Sequence, residues 1–315
     1  MKFRQVADAY VRYRTSLGLV NGVEARNLRI FSSACRGCDI SEVSPELIQK
    51  FLARQTPFMR WRHHENLKLF YRYAIARGYV ARSPLPDESP VMPPRMKPYI
   101  YSRPELKALF AEALQIRTKR NDPLLGITLQ TFLILLYGAA LRRGEALSLL
   151  GGDVDLSDDL LIIRGTKFGK TRMVPINPQL TKVLVAYVAE RSRLDRPLTP
   201  DTHFFATVRQ PFLTAEFVSD RFQEIRARLG IRRDDGGRFQ PRIHDLRHSF
   251  VAHRIEAEYA ANRKNVQRLL DELPTYLGHV SLNSSQPYLL SLTPKTLSAA
   301  NRRFARYALT EVNHD

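Results

Sequence analysis

Six prolines fall within residues 84–99, the stretch that runs from Pro84-Leu85-Pro86 to Lys97-Pro98-Tyr99. Proline removes a backbone N–H and clashes with the preceding helical turn, so neither a helix nor an interior strand can run through this stretch. It has no apolar periodicity, and Asp87 and Glu88 balance Arg95 and Lys97. Residues 84–99 therefore read as a linker, and the 315-residue chain as two parts, 1–83 and 100–315.

The first part reads as a helical bundle. Phe3, Val6, Ala7, Tyr10 and Val11 fall at helical spacing. Leu47, Ile48, Phe51 and Leu52 do so behind a Ser44-Pro45-Glu46 start signal, and Leu67, Phe70, Tyr71 and Ala74 mark a third helix over 61–76. The second part opens with Ser102-Arg103-Pro104-Glu105 ahead of an amphipathic helix through Leu114, then an apolar helix over about 127–137. Residues 160–163 and 172–176 read as two short strands around the turn Gly165-Thr166-Lys167-Phe168-Gly169-Lys170, and from Gln179 onward the pattern is helical again. The fold class is thus mainly α with a small antiparallel sheet. There is no internal repeat and no low-complexity segment.

Charge narrows the partner. Lys and Arg number 49 against 31 Asp and Glu, a formal +18, and residues 1–83 alone hold 15 against 6. Such an excess suits a polyanion, because basic side chains release counterions from phosphates, although ribosomal and membrane-surface proteins share it. In the first part Arg60, Arg62, Lys68 and Arg72 are the candidate contacts. The longest apolar run, 132–137 extended to Leu141, is far below the roughly 20 residues that cross a bilayer. The start MKFRQVADAY carries Asp8 and no apolar secretory core, so no membrane and a cytoplasmic location are expected. The only cysteines, Cys35 and Cys38, form a CRGC tetrapeptide with no histidine near in sequence to complete a zinc site, so reduced thiols and no metal are expected.

Four short segments carry reactive groups: Leu141-Arg142-Arg143-Gly144-Glu145, the turn lysine Lys167, His244-Asp245-Leu246-Arg247-His248, and Leu277-Gly278-His279 followed nine positions later by Tyr288. Each alone is commonplace. In this order and combination the chain resembles the tyrosine recombinase (phage integrase) family over nearly its whole length, in the transposon and integrase type whose histidine motif reads Tyr-Leu-Gly-His, here 276–279. The resemblance implies a SAM-like core-binding domain before the linker and an integrase-type catalytic domain after it. It assigns Arg142 and Arg247 as the paired arginines, Glu145 as the acidic residue, Lys167 rather than Lys170 as the hairpin lysine, His244 and His279 as the two histidines, and Tyr288 as the nucleophile. Lys170 and Arg172 are further DNA-binding candidates.

The chemistry suits those residue types. Attack on a phosphodiester builds charge on the nonbridging oxygens, which planar guanidinium donors stabilise. A phenol with a reference pKa near 10 needs surrounding cations and a histidine partner to act as phenolate. A lysine on a hairpin can protonate the departing 5′ oxygen, and His279 adds a hydrogen bond to the phosphate. Glu145, three residues after Arg142, is read as sharing its helical face and orienting it. A 3′-phosphotyrosyl bond retains the energy for religation, so neither ATP nor a metal is needed. The implied partners are double-stranded DNA with specific recombination sites, a homo-tetramer on that DNA, accessory recombinases, and a C-terminal helix from Pro294 onward that docks either on its own domain or on a neighbour.

Three features depart from the family pattern. Ala139-Ala140 stands where a Thr-Gly or similar small pair is usual. Arg143 leaves a one-residue register alternative for the first arginine. The interval from Arg247 to His279 is long, with an insertion over 258–273. Pro287 pushes Gln286 out of helical conformation, so Tyr288 is expected to enter from an extended stretch. Tyr276 is the competing phenol, and fits core packing. A type IB topoisomerase shares the chemistry without a sequence requirement, and an accessory DNA-binding factor would lack one or more of these groups.

Overall fold

The computed structural model describes residues 1–19, 22–86, 88–93, 97–117, 121–165, 171–235, 239–260 and 276. The chain divides into two compact units, Met1–Arg95 and Met96–Asp315, and the division falls inside the proline-rich stretch.

The first unit contains α1 (Phe3–Ser16), α2 (Gly22–Ala34), α3 (Pro45–Ala53) and α4 (Pro57–Ala76). Ser44 caps α3 by accepting the Leu47 N–H, with Pro45 at the first helical position. The buried stripe of α1, Phe3, Val6, Ala7 and Tyr10, packs into an aromatic core in which Phe3 meets Phe31 at 5.1 Å and Phe70 at 4.8 Å between ring centroids. Two features depart from the expected bundle. The third helix starts at Pro57 rather than Trp61, because Pro57 occupies the first turn. The helix α2 carries no clean apolar period, since its buried face includes Glu24, Asn27 and Ser32. Glu24 is buried there because it accepts the Tyr10 hydroxyl at 2.5 Å and pairs with Arg14 at 3.5 Å.

The second unit runs α5 (Arg103–Gln115), α6 (Leu125–Gly138), α7 (Arg143–Leu147), β1 (Val154–Asp155), β2 (Leu160–Ile163), β3 (Arg172–Pro175), α8 (Pro178–Arg193), α9 (Ala215–Arg228) and α10 (Asp245–Ala260). Starts are set locally: Ser102 accepts the Glu105 N–H, Asn177 accepts the Leu180 N–H with Pro178 at the first turn, and Thr214 accepts the Phe217 N–H. The helix α6 is apolar nearly all round and accordingly sits inside, against α5, α8 and α10. Among the described residues no helix is long and apolar enough to cross a membrane.

The sheet is antiparallel in the order β1-β2-β3; the two-residue β1 was not expected from sequence. Leu160 pairs with Pro175, Leu161 with Val174 and Ile163 with Arg172. Leu161, Ile163 and Val174 face the core, while Met173 is 67% exposed. Arg172 shares Val174's inward side of the pleat. The backbone that follows the prolines is stitched to α10: Tyr101 N donates to Ser249 Oγ at 2.8 Å, and Tyr101 Oη to the Arg242 carbonyl at 3.2 Å.

Candidate active site

The chain leaves α6 through Ala139 and turns at Ala140, which is buried and takes the left-handed conformation with φ +49°. That conformation costs about 1–2 kcal/mol for a residue with a Cβ, which gives the Ala139-Ala140 departure a physical meaning: the second alanine stands where glycine would be unstrained. Two residues later Arg142 has extended backbone (φ −71°, ψ 146°) as the N-cap of α7. This corrects the expectation that Arg142 and Glu145 share a helical face. They meet instead across the helix start, where Glu145 Oε2 accepts the Arg142 backbone N–H at 2.9 Å and Oε1 accepts Arg142 Nη1 at 2.7 Å. Arg143, the register alternative, donates from Nη1 to Ser219 Oγ and to the Ala215 carbonyl at 3.4 Å, bracing α7 against α9.

Glu145 also receives a second arginine. Arg172 Nη1 and Nη2 donate to Oε1 and Oε2, both at 2.9 Å, and the two side chains are 14% and 9% exposed. Burial alone would raise the Glu145 carboxyl, but hydrogen bonds from Arg172 and Arg142 outweigh it and hold it at about 2. The structure thus places Arg172, expected among the DNA contacts, with its guanidinium turned inward on a carboxylate. Sequence reasoning missed this pairing, although the two-residue alternation with Val174 was a signal that position 172 points inward.

Arg247 lies on α10 and is almost fully buried; its Nη1 donates to the Ala140 carbonyl at 2.6 Å and stands 4.0 Å from Glu145 Oε2. His244 sits in the turn ahead of α10, its ring edge-on to His248 at 5.0 Å. Desolvation by its neighbours, then the positive charges of Arg247, Arg242 and Arg142, push the His244 imidazole down to about 4, while part of the residue stays exposed to solvent. At neutral pH it is uncharged and can accept a proton.

The fold therefore gathers Arg142, Glu145, Arg172, His244 and Arg247 from the α6–α7 turn, a strand and α10. Lys167, Lys170, His279, Tyr288, Pro287, the helix expected from Pro294 and residues 261–273 of the expected insertion lie outside the described residues. Tyr276 is half-buried against the core, stacked on Phe250 at 6.1 Å, with its hydroxyl donating to the Pro175 carbonyl at 3.4 Å. Burial pushes its phenol up to about 12 despite Arg172, Arg254 and Arg247 nearby, which makes it a poor nucleophile.

In the first unit Arg60 donates from Nε to the Leu52 carbonyl at 3.1 Å and from Nη2 to the Ala53 carbonyl at 3.4 Å, closing the C-terminal end of α3. Arg62 lies 5.7 Å from the Phe58 ring centre, while Lys68 and Arg72 are exposed on α4.

The chain is similar to known proteins in sequence and in fold. Residues 105–293 match the Phage integrase family. A Sinorhizobium fredii protein named as an integrase/recombinase, y4rB, is 31% identical over 312 residues, covering 96% of this chain and 97% of its own. The tyrosine recombinase XerC of Myxococcus xanthus is 28% identical over 235 residues, 74% of this chain and 71% of its own. The fold is that of the Tn1549 transposon integrase in complex with transposon right end DNA (TM-score 0.67, 16% identity, 97% of this chain and 100% of that one). It is also that of a lambda integrase dimer bound to a core site (TM-score 0.63, 15% identity, 91% and 77%). With well over half of its length matched and a relative above 30% identity along nearly all of it, this chain belongs to the phage integrase family of tyrosine recombinases.

Proposed function

We propose that this protein performs site-specific DNA strand exchange through a 3′-phosphotyrosyl intermediate, in the movement of a DNA element. The observation that carries the reading is the pairing of two guanidiniums, Arg142 and Arg247, with the uncharged imidazole of His244 at one place in the fold. Two cations beside one neutral base suit a reaction that concentrates negative charge on phosphate oxygens while a hydroxyl gives up its proton. Family membership supports the same chemistry.

In this reading the Tyr288 oxygen bonds to phosphorus and its proton passes to His244. The 5′ oxygen leaves with a proton from Lys167, while Arg142, Arg247 and His279 hold the nonbridging oxygens. The phosphotyrosyl bond is then opened by the 5′ hydroxyl of a second strand, so the chemistry balances without ATP. Lys68 and Arg72 are proposed as backbone contacts of the first unit. A homo-tetramer is proposed because a solved relative of the same fold is a lambda integrase tetramer bound to a Holliday junction. The residue-by-residue roles follow the family pattern.

The test is capture of the covalent adduct on a nicked substrate drawn from DNA flanking the gene. The wild-type chain should become attached to DNA, and Tyr288→Phe should bind the same DNA without attachment. Adducts that persist in Tyr288→Phe refute the assignment of the nucleophile.

A further inference from the structure

A carboxylate offers about four acceptor positions, and four donors occupy those of Glu145. Arg142 N and Arg172 Nη2 share Oε2, and Arg142 Nη1 and Arg172 Nη1 share Oε1, all between 2.7 and 2.9 Å. Arg247 Nη1, at 4.0 Å from Oε2, is beyond hydrogen-bond reach and is bonded to the Ala140 carbonyl instead. If two of the positions on Glu145 were vacated, this buried anion would attract the nearest cations, which are the guanidiniums that the strand-exchange reading aims at phosphate.

We infer that Arg172 is a positioning residue: by filling half of the acceptor capacity of Glu145 from β3, it holds Arg142 in its clasp and keeps Arg247 on the Ala140 carbonyl. The inference rests on the strand-exchange reading for the identity of the phosphate. A second consequence follows from where Arg172 stands. It is the first residue of β3, paired across the ladder with Ile163 and two residues beyond Lys170. Strand β3 is therefore tied through one carboxylate to the helix start containing Arg142. Lysine cannot replace Arg172 in this role, because one ammonium engages a carboxylate as a point donor and not as a two-pronged fork.

The test uses the full chain as wild type, Arg172→Ala, Arg172→Lys and the double variant Glu145→Gln with Arg172→Met. Inorganic phosphate is titrated while the His244 ring proton is followed by NMR, and covalent adduct formation on the nicked DNA is measured separately. Thermal unfolding reports folding. Phosphate affinity should fall roughly tenfold in Arg172→Ala, as for one misaimed charge-assisted hydrogen bond, and several-fold in Arg172→Lys. The adduct-forming rate should drop on the order of a hundredfold, the scale of a small misplacement of reacting groups, with DNA affinity changing far less. The double variant removes both buried charges and should keep its fold even where Arg172→Ala does not. It should bind phosphate more tightly than Arg172→Ala, because no buried anion remains to draw Arg142 and Arg247 aside. Wild-type phosphate affinity in Arg172→Ala or in Arg172→Lys, or a double variant that binds phosphate no better than Arg172→Ala, overturns the inference and leaves Arg172 as a purely structural ion pair. Loss of phosphate affinity in the single variants, with no adduct from the wild type on any flanking DNA, sustains the inference and sinks the strand-exchange reading instead.

Discussion

Two helix starts in the second unit use the same clasp. At α7, Arg142 gives its backbone N–H and one guanidinium nitrogen to Glu145 three residues on. Ahead of α10, Arg242 gives its backbone N–H to Asp245 Oδ2 at 2.8 Å and its Nη2 to Oδ1 at 2.8 Å. In both, the arginine is 37% exposed and the carboxylate is buried. The difference is tertiary. Glu145 takes a second guanidinium from β3 and lies within ion-pair distance of Arg247, whereas among the described residues no second guanidinium reaches Asp245. An arginine followed three residues later by an acid is a way of starting a helix. It becomes part of a candidate active site only where distant strands deliver further charge to the same carboxylate.

The sharpest way to break this comparison is to delete each arginine in turn. Arg142→Ala should lower the covalent-adduct rate by about 10²–10³, the usual loss for one donor to a developing oxyanion. Arg242→Ala should cost about 1 kcal/mol of stability, as a lost helix-start interaction does, and leave the adduct rate within about tenfold of wild type. Equal rate losses, measured on the nicked DNA substrate, would erase the distinction between the two clasps.

Next in size is neutralisation of the carboxylates. Glu145→Gln leaves two inward guanidiniums without their anion and should cost about 3–5 kcal/mol in urea unfolding. Asp245→Asn strands a single partner and should cost about 1–3 kcal/mol. A reversed order would show that the second arginine contributes nothing at Glu145.

Acid should act on the candidate site in two steps, first at His244 and then at the Glu145 clasp. The folded pKa of His244 is depressed, so the unfolded chain binds the proton more readily, and its contribution is fully present above about 6.5 and is lost as pH falls towards about 4. The Glu145 carboxyl is also depressed, so a second loss begins below about 4.5 and extends towards about 2. Melting temperature measured from pH 7 to pH 3 should fall in that order. The upper limb should shrink in Arg142→Ala, which removes one of the charges that depress His244. An upper limb unchanged in that variant would place Arg142 out of electrical reach of the histidine.

The smallest expected effect concerns Ala140, the left-handed residue that precedes the first clasp; among the described residues no such residue lies near Arg242. Ala140→Gly should change stability by about 0–1 kcal/mol in the favourable direction, since relief of the strained φ exceeds the added freedom of the unfolded chain. Destabilisation in calorimetry would mean that the alanine methyl contributes more by packing than its backbone costs.

What could be read in advance follows from range. Helices that begin with Ser44-Pro45, Ser102-Arg103-Pro104 or Asn177-Pro178 announce themselves within four residues, and the strands around Leu161 and Val174 announce themselves by alternation. The helix from Gly22 was hidden because Glu24 and Asn27 occupy its inner face, the carboxylate of Glu24 held by Tyr10 and Arg14 of α1. Arg142, His244 and Arg247 were legible as a pattern of types and order. The role of Arg172 was not, because nothing near it in sequence tells which of many carboxylates a basic strand residue will meet. The fork on Glu145 exists only once β3 has paired with β2. Arg60 carries the same lesson in the first unit, where a charge that looked available is engaged with two carbonyls at the end of α3.

The left-handed turn at Ala140 has one more consequence. Its carbonyl anchors Arg247, and its chain continues after one residue into Arg142, so both arginines are fixed to two consecutive peptide units. The hydrogen bond from α10 thus ends on the same short stretch of backbone that starts α7. A change of backbone at this one turn would therefore disturb both arginines together.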